Sequence, residues 1–198
     1  MLLTTDAIVL ALMPHSDRAM LLSVYTRHRG RQNYLVYGVG SRKQRKAVFT
    51  PLSRVSLSID EQPTRPIQTL RDIQFRIVPE QTGIDIRRQT VALFVAEVLF
   101  RTIRHPMEDE SLFELIDTTA EAIEHNPHPE NVHIDFLRQF CTVLGFALDE
   151  DEHPELLISP TTHAERRQTL LGLCNYLHEH VEDWAHPKSL DVLMTVFS

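Results

Sequence analysis

Cysteine is scarce: Cys141 and Cys174 are the two in 198 residues, and neither belongs to a Cys-x-x-Cys pair or a Cys/His cluster. That excludes a disulfide framework and predicts two buried thiols in a reducing compartment. Apolar runs are short, and none approaches the roughly 18 residues that span a bilayer. No basic segment precedes the first run and Asp6 sits early, so neither secretion nor membrane insertion is expected and the cytoplasm is the predicted location. Repeats and low-complexity tracts are missing. Six glycines offer one phosphate-loop candidate, Gly38-Val-Gly40-Ser-Arg-Lys43, but it lacks the Gly-Lys-Ser/Thr ending and leads toward a strand rather than a helix. Eleven histidines form no partnered motif: His178 and His180 are two apart, on different helix faces, and His125, His128 and His133 lie around prolines. With no nucleophile at a readable spacing from a base, the chain is read as a non-enzyme without metal or cofactor.

What is present is ordinary globular composition, 42% hydrophobic and 24% charged, with an uneven charge distribution. The net charge of −7 conceals a split. Met1 to Val78 carries 12 Lys+Arg against 5 Asp+Glu, and the remainder 8 against 22. The cations concentrate between Tyr25 and Lys46, where Arg27, Arg29, Arg31, Arg42, Lys43, Arg45 and Lys46 flank a short apolar strand with no carboxylate among them. Two basic loops beside one strand suit the backbone of a polyanion. Tyr25 and Tyr34 are candidates for stacking on bases, a contact worth about 1–3 kcal/mol each. The bland alternative is a solvated hairpin with half-buried tyrosines.

Ala7 to Met13 is a continuous apolar run closed by Pro14-His15-Ser16-Asp17, a strand and a turn. Arg18 to Thr26 returns, with Met20, Leu22 and Val24 on the core face and Ala19, Leu21, Ser23 and Tyr25 outside. Gln32 to Val39 is a third strand; Tyr34 and Tyr37 point to opposite faces, so at most one presents its ring outward. Val48 to Leu52, Val55 to Ile59 and Leu70 to Val78 add further strands. Five or six short strands without helical period predict a small antiparallel β-barrel, the oligonucleotide/oligosaccharide-binding (OB) type being the commonest at this size. After Pro79 the period becomes helical. Gln89 to Ile103 reads as a buried central helix with a Glu97–Arg101 pair on its polar edge. Ser111-Leu-Phe-Glu114 and Thr162-His-Ala-Glu165 read as capping boxes, Asn131 as an N-cap, Gly145 as a stop, and Ser189 to Phe197 as a terminal helix. The expected fold class is α+β: an OB barrel over residues 1–79 followed by an all-α bundle of about five helices over 80–198.

Several of these stretches, in this order, resemble the bacterial recombination mediator family RecO. They are Ala7-Ile-Val-Leu10; Leu22-Ser-Val-Tyr25-Thr-Arg27 followed by Gly30; and Val36-Tyr-Gly-Val-Gly40 running into Ser41-Arg-Lys-Gln-Arg-Lys46. In the helical half they are Phe136-Leu-Arg-Gln-Phe-Cys-Thr-Val-Leu-Gly-Phe146 and Lys188-Ser-Leu-Asp-Val-Leu193. The resemblance implies a DNA repair and recombination mediator whose barrel binds single- and double-stranded DNA and promotes strand annealing. It also implies work with RecR, contact with the acidic C-terminal tail of the single-stranded-DNA-binding protein, help in loading RecA, and a cytoplasmic, nucleoid-associated location. Many members carry a four-cysteine zinc site after the Leu-Gly helix. Here no cysteine lies between Gly145 and Arg166, so no structural zinc is expected and the acidic Asp149 to Glu155 segment stands in its place. An acidic peptide would seek an arginine at a groove between helices; Arg101, Arg104 and Arg138 are the candidates, with local ion pairs as the competing reading. The rival functions are a protein-interaction scaffold and an RNA-binding OB module.

Overall fold

A computed structural model describes residues 2–39, 46–62, 64 and 66–197. Five strands, β1 (Leu2–Ser16), β2 (Ala19–Thr26), β3 (Gly30–Tyr37), β4 (Arg54–Asp60) and β5 (Gln68–Phe75), close into a barrel of OB type in the order β1-β2-β3-β5-β4. Closure depends on the long first strand. Its N-terminal half pairs with β4, Leu2 opposite Asp60 through Ile8 opposite Arg54, and its C-terminal half pairs with β2, Ala7 opposite Thr26 through Ser16 opposite Ala19. Irregularities between Val9 and Ala11 and between Pro14 and Ser16 let one strand turn the corner between two neighbours. Alternate residues fill the barrel: Ala7, Val9, Leu22, Val24, Tyr34, Val36, Val55, Leu57 and Ile59 are buried together there.

The strand expected at Val48–Leu52 is not one. The segment forms tight turns, with Phe49 N–H donating to Lys46 O (3.2 Å) and Leu52 in the left-handed region at φ 58°. Its ends serve the β1 irregularity: Leu52 N–H donates to Val9 O (2.8 Å), and Val9 N–H to Ser53 O (3.0 Å). A buried backbone group needs a partner, and here the apolar run supplies one from a turn rather than a ladder.

Among the described residues six helices follow: α1 (Ile86–Thr102), α2 (Glu110–His125), α3 (Val132–Val143), α4 (Pro154–Leu157), α5 (His163–His180) and α6 (Ser189–Val196). α1 begins three residues before its expected start because the Asp85 carboxylate caps it, accepting from Arg87 N–H. Val91, Phe94, Val95, Val98 and Leu99 make it the buried axis of the bundle. Asp109, not Ser111, caps α2 by accepting from Leu112 N–H at 3.1 Å, which leaves Glu114 for another partner. Asn131 precedes α3 but gives its side-chain N–H to Pro160 O (3.1 Å), after a 3-10 turn at Pro129–Asn131. The Thr162/Glu165 capping box opens α5 as expected, and Gly145 at φ 90° follows the end of α3. Cys141 and Cys174 are buried free thiols pushed by burial up to about 12, which makes them unreactive core side chains.

Two carboxylates tie distant segments. Glu97 on α1 accepts from Lys188 N–H (3.0 Å), Ser189 N–H (2.9 Å), Ser189 Oγ (2.7 Å) and Arg101, so it caps α6 from another helix. Glu124 on α2 accepts from the backbone N–H groups of Glu80 (2.7 Å), Gln81 and Thr82 (3.0 Å) and from Thr82 Oγ1 (2.6 Å), fixing the connection between barrel and bundle. Burial alone raises a carboxyl's pKa. In both residues the hydrogen bonds to the ionised form outweigh it and hold the group at about 2. A depressed folded pKa stabilises the protein fully above the unfolded carboxyl value, and that stability is lost as pH falls through the folded value. Unfolding free energy measured by urea titration is therefore expected to drop between about pH 5 and pH 2. Glu97→Gln and Glu124→Gln should each cost about 2 kcal/mol at neutral pH and flatten that acid limb.

Gly30 opens β3 at φ 60°, and a Cβ there would fall 1.9 Å from the Met107 carbonyl oxygen of the α1–α2 connection. Gly30→Ala is expected to lose about 1–3 kcal/mol from the left-handed backbone alone, and more from the clash, read as a lower urea midpoint.

Candidate nucleic-acid interface

The basic face of the barrel divides in two. Arg27, after β2, forms ion pairs with Glu110 and Glu114 (2.7 Å) and lies 4.2 Å over the Phe113 ring. Arg76, after β5, pairs with Asp117 and stands 3.8 Å from Asp6. Arg54 on β4 is buried, with Glu121 at 3.8 Å. The four α2 carboxylates, at positions 110, 114, 117 and 121, are spaced four, three and four residues apart, so they form one stripe along the helix. Arg31 also turns to the bundle. Its Nη1 donates to the Phe100 (2.7 Å) and Ile103 carbonyls at the end of α1, and its guanidinium lies 4.2 Å over the Phe100 ring. Helix C-termini carry partial negative charge, so this arginine satisfies the last turn of α1. Burial lowers its pKa, and the hydrogen bond to Glu114 raises that of Arg27.

The two expected stacking rings are not at the surface. Tyr25 is on the outer face of the barrel wall, as its spacing predicted, but the bundle covers that face. It has no solvent exposure, and its hydroxyl donates to Met107 O at 2.9 Å. Burial first, and the neighbouring Asp109 second, push its pKa up to about 12. Tyr34 is 3% exposed and fills the barrel interior. Neither presents a ring face to a base. Of the pair with opposed directions, Tyr37 is the outward one, at 55% exposure.

What remains for a polyanion are the exposed cations of the barrel. Arg29 is half-exposed and hydrogen-bonded to Glu61, which raises the pKa of the arginine and lowers that of the carboxyl. Lys46 is exposed where the chain re-enters the described residues. Arg42, Lys43 and Arg45 lie outside the described residues. Arg18 and Arg71 are exposed and form no ion pair among the described residues. Tyr37 and Arg71 line one shallow depression beside Gly38 and Val39, from which the basic loop departs. Sequence reasoning did not single out these two. The signal was there: Tyr34 cannot face outward if Tyr37 does, and Arg71 alternates with Leu70 in a strand.

The candidate partner-binding arginines make local contacts. Arg138 donates from Nε to Leu156 O and from Nη2 to Ile158 O, both at 2.7 Å, and lies 3.3 Å from Asp135, which ties it to the acidic segment and α4. Arg101 pairs with Glu97 at 2.7 Å, and Arg104 donates to Asp183 O at 2.7 Å with the Asp183 carboxylate at 3.6 Å. An apolar cleft of about 490 Å³ opens where barrel, connection and bundle meet, with exposed Ile77, Val78 and Leu93 on its rim. No helix is long and apolar enough to cross a membrane, and no group of three or more His, Cys, Asp or Glu gathers at one place, both among the described residues.

Comparison with known proteins matches this architecture. Residues 1–76 match the family model described as Recombination protein O N terminal, and residues 84–155 match Recombination protein O C terminal. Among curated relatives, the DNA repair protein RecO of Flavobacterium psychrophilum is 24% identical over 238 aligned positions, covering 100% of both chains. That of Phocaeicola vulgatus is 25% identical over 245 positions, and that of Bacteroides fragilis 26% identical over 241, again with 100% of both chains covered. A closed five-stranded barrel followed by a helical bundle, matched by both family models along most of the chain, shows that this protein belongs to the RecO family of DNA repair proteins.

Proposed function

We propose that this chain is a non-catalytic recombination mediator. It holds single- and double-stranded DNA on the outer side of its barrel, brings complementary strands together, and assists the loading of recombinase onto strands covered by single-stranded-DNA-binding protein. The observation that carries this reading is the sorting of charge. Arg27, Arg31, Arg54 and Arg76 are turned to the bundle, while Arg18, Arg29, Lys46 and Arg71 stay exposed on the barrel, Arg71 beside the exposed Tyr37. Exposed cations on one module of an anionic protein neutralise backbone phosphate on each of two strands, which lowers their mutual repulsion and lets them pair. The chemistry needs no nucleotide hydrolysis. RecR and the acidic tail of the single-stranded-DNA-binding protein are the partners this reading supplies. The apolar cleft rimmed by Ile77, Val78 and Leu93 supports a protein-docking role beside DNA binding. The DNA-bound fraction would be nucleoid-associated.

If Arg29, Arg42, Lys43, Arg45 and Lys46 all contact a single strand, log affinity should fall with log salt at a slope near −3.5, about a hundredfold between 50 and 200 mM. Reversing Arg42, Lys43, Arg45 and Lys46 to glutamate should abolish annealing of complementary oligonucleotides, followed by fluorescence energy transfer; equal annealing by variant and wild type ends the proposal. Arg27→Ala, by contrast, should lower the unfolding midpoint and leave the salt slope unchanged. Titrations with DNA, RNA and an acidic peptide separate the rivals: a scaffold binds no oligonucleotide, and an RNA module prefers the strand with 2′-hydroxyls.

A further inference from the structure

Arg31 lies in the basic stretch read as phosphate-binding, and Arg101 and Arg104 lie seventy residues later in the helical half, read as partner-binding candidates. The fold brings them to the walls of one open cleft of about 380 Å³ at the junction of barrel and bundle, with Phe100, Asp183 and Ala185. Three guanidiniums face a single lining carboxylate, that of Asp183, which is 81% exposed and among the described residues pairs with Arg104 alone. Glu97 neutralises Arg101 from outside the cleft and is itself saturated by Lys188 and Ser189. Arg31 has no ion pair among the described residues. Carbonyls and Ser23 Oγ hold its Nε and Nη1, and Nη2 makes no hydrogen bond among the described residues. Burial without a counter-charge lowers its pKa, the signature of a cation that gains from an added anion. Phe100 is the one large apolar side chain in the lining, and Arg31 already stacks on it. An acidic peptide with an apolar tip needs a hydrophobic pocket that this cleft does not offer, whereas convergent guanidiniums suit the oxygens of a phosphate.

We propose that this cleft binds a backbone phosphate of the strand held on the barrel, so that the nucleic acid passes from the β2–β3 turn across the junction onto the C-terminal end of α1. Arg29 in that turn is two residues from Arg31, so the path starts at an exposed arginine of the barrel. A phosphate displaces the exposed Asp183 carboxylate from Arg104 and takes the free N–H groups of Arg31 and Arg101. The inference rests on the reading of the barrel as a DNA-binding surface and extends it to the helical half.

The test is fluorescence anisotropy of labelled single-stranded DNA on the full chain at several salt concentrations. It uses an oligonucleotide of about 20 nucleotides, longer than the ~16 an OB barrel covers, and one of about 6. Arg101→Gln/Arg104→Gln should bind the long strand on the order of tenfold more weakly, with the salt slope reduced by about 1.4, and the short strand as wild type does. Arg104→Gln alone touches only exposed contacts and should show about half that change in slope. It keeps the test decisive if the double variant, checked by thermal unfolding, is destabilised. Wild-type binding of the long strand by Arg104→Gln overturns the cleft proposal while the barrel reading stands, provided the loop reversal still loses binding. Wild-type protein that binds neither strand overturns both. Weakened binding of a poly-glutamate peptide with unchanged DNA binding assigns the cleft to an acidic polypeptide instead and likewise overturns it.

Discussion

The wall of the barrel made by β1 and β2 is apolar on both faces, and the rest of the architecture answers that constraint. Val9, Leu22 and Val24 point into the barrel, while Ile8, Leu10 and Tyr25 point out and are as deeply buried, in the same cluster as the bundle core. A strand with two buried faces cannot stand at a solvent boundary, so the helices cover it. Fully burying side chains of this size contributes about 1.5–3 kcal/mol each, whereas an exposed ion pair contributes about 0–1. Apolar contact therefore supplies the attraction between the two parts. The stripe of acids on α2 against Arg27, Arg54 and Arg76 sets how they are oriented, since like charges in those places would be repelled.

That docking has a functional consequence. The charge difference between the two halves of the chain is consumed in part within the molecule. Four of the twelve cations before Val78 face the bundle, three of them opposed by α2 carboxylates and Arg31 by the carbonyl end of α1. What is left on the outside is a smaller set of cations. A cluster of seven cations in one stretch of sequence is thus not a cluster of seven on one surface.

Local signals were read well wherever the partners were near in sequence. The Thr162/Glu165 box and the Glu97–Arg101 pair each close within four residues, and both form as expected. Where a second partner competed, they failed. The box at Ser111 loses to Asp109, and Glu114 is drawn to Arg27, eighty-seven residues away. Val48 to Leu52 has the composition of a strand, yet β1 needed its backbone as a plug at the Val9 irregularity. The continuous run Ala7 to Met13 was the one available hint that β1 is buried on both sides, because a strand with a solvated face alternates instead.

Side-chain direction was determined by the sequence alone. Period-two alternation put Tyr25 outside the barrel and made Tyr34 and Tyr37 opposite, and the helical period and caps placed the bundle after Pro79. Only the tertiary structure decided what lies against each face. Tyr25 proved to be core rather than surface, Tyr37 replaced Tyr34 as the outward ring, and Arg31, Arg101 and Arg104 met in one cleft. The reason is range: the direction of a side chain follows from the torsions of its own few residues, but its environment depends on elements brought up from far along the chain.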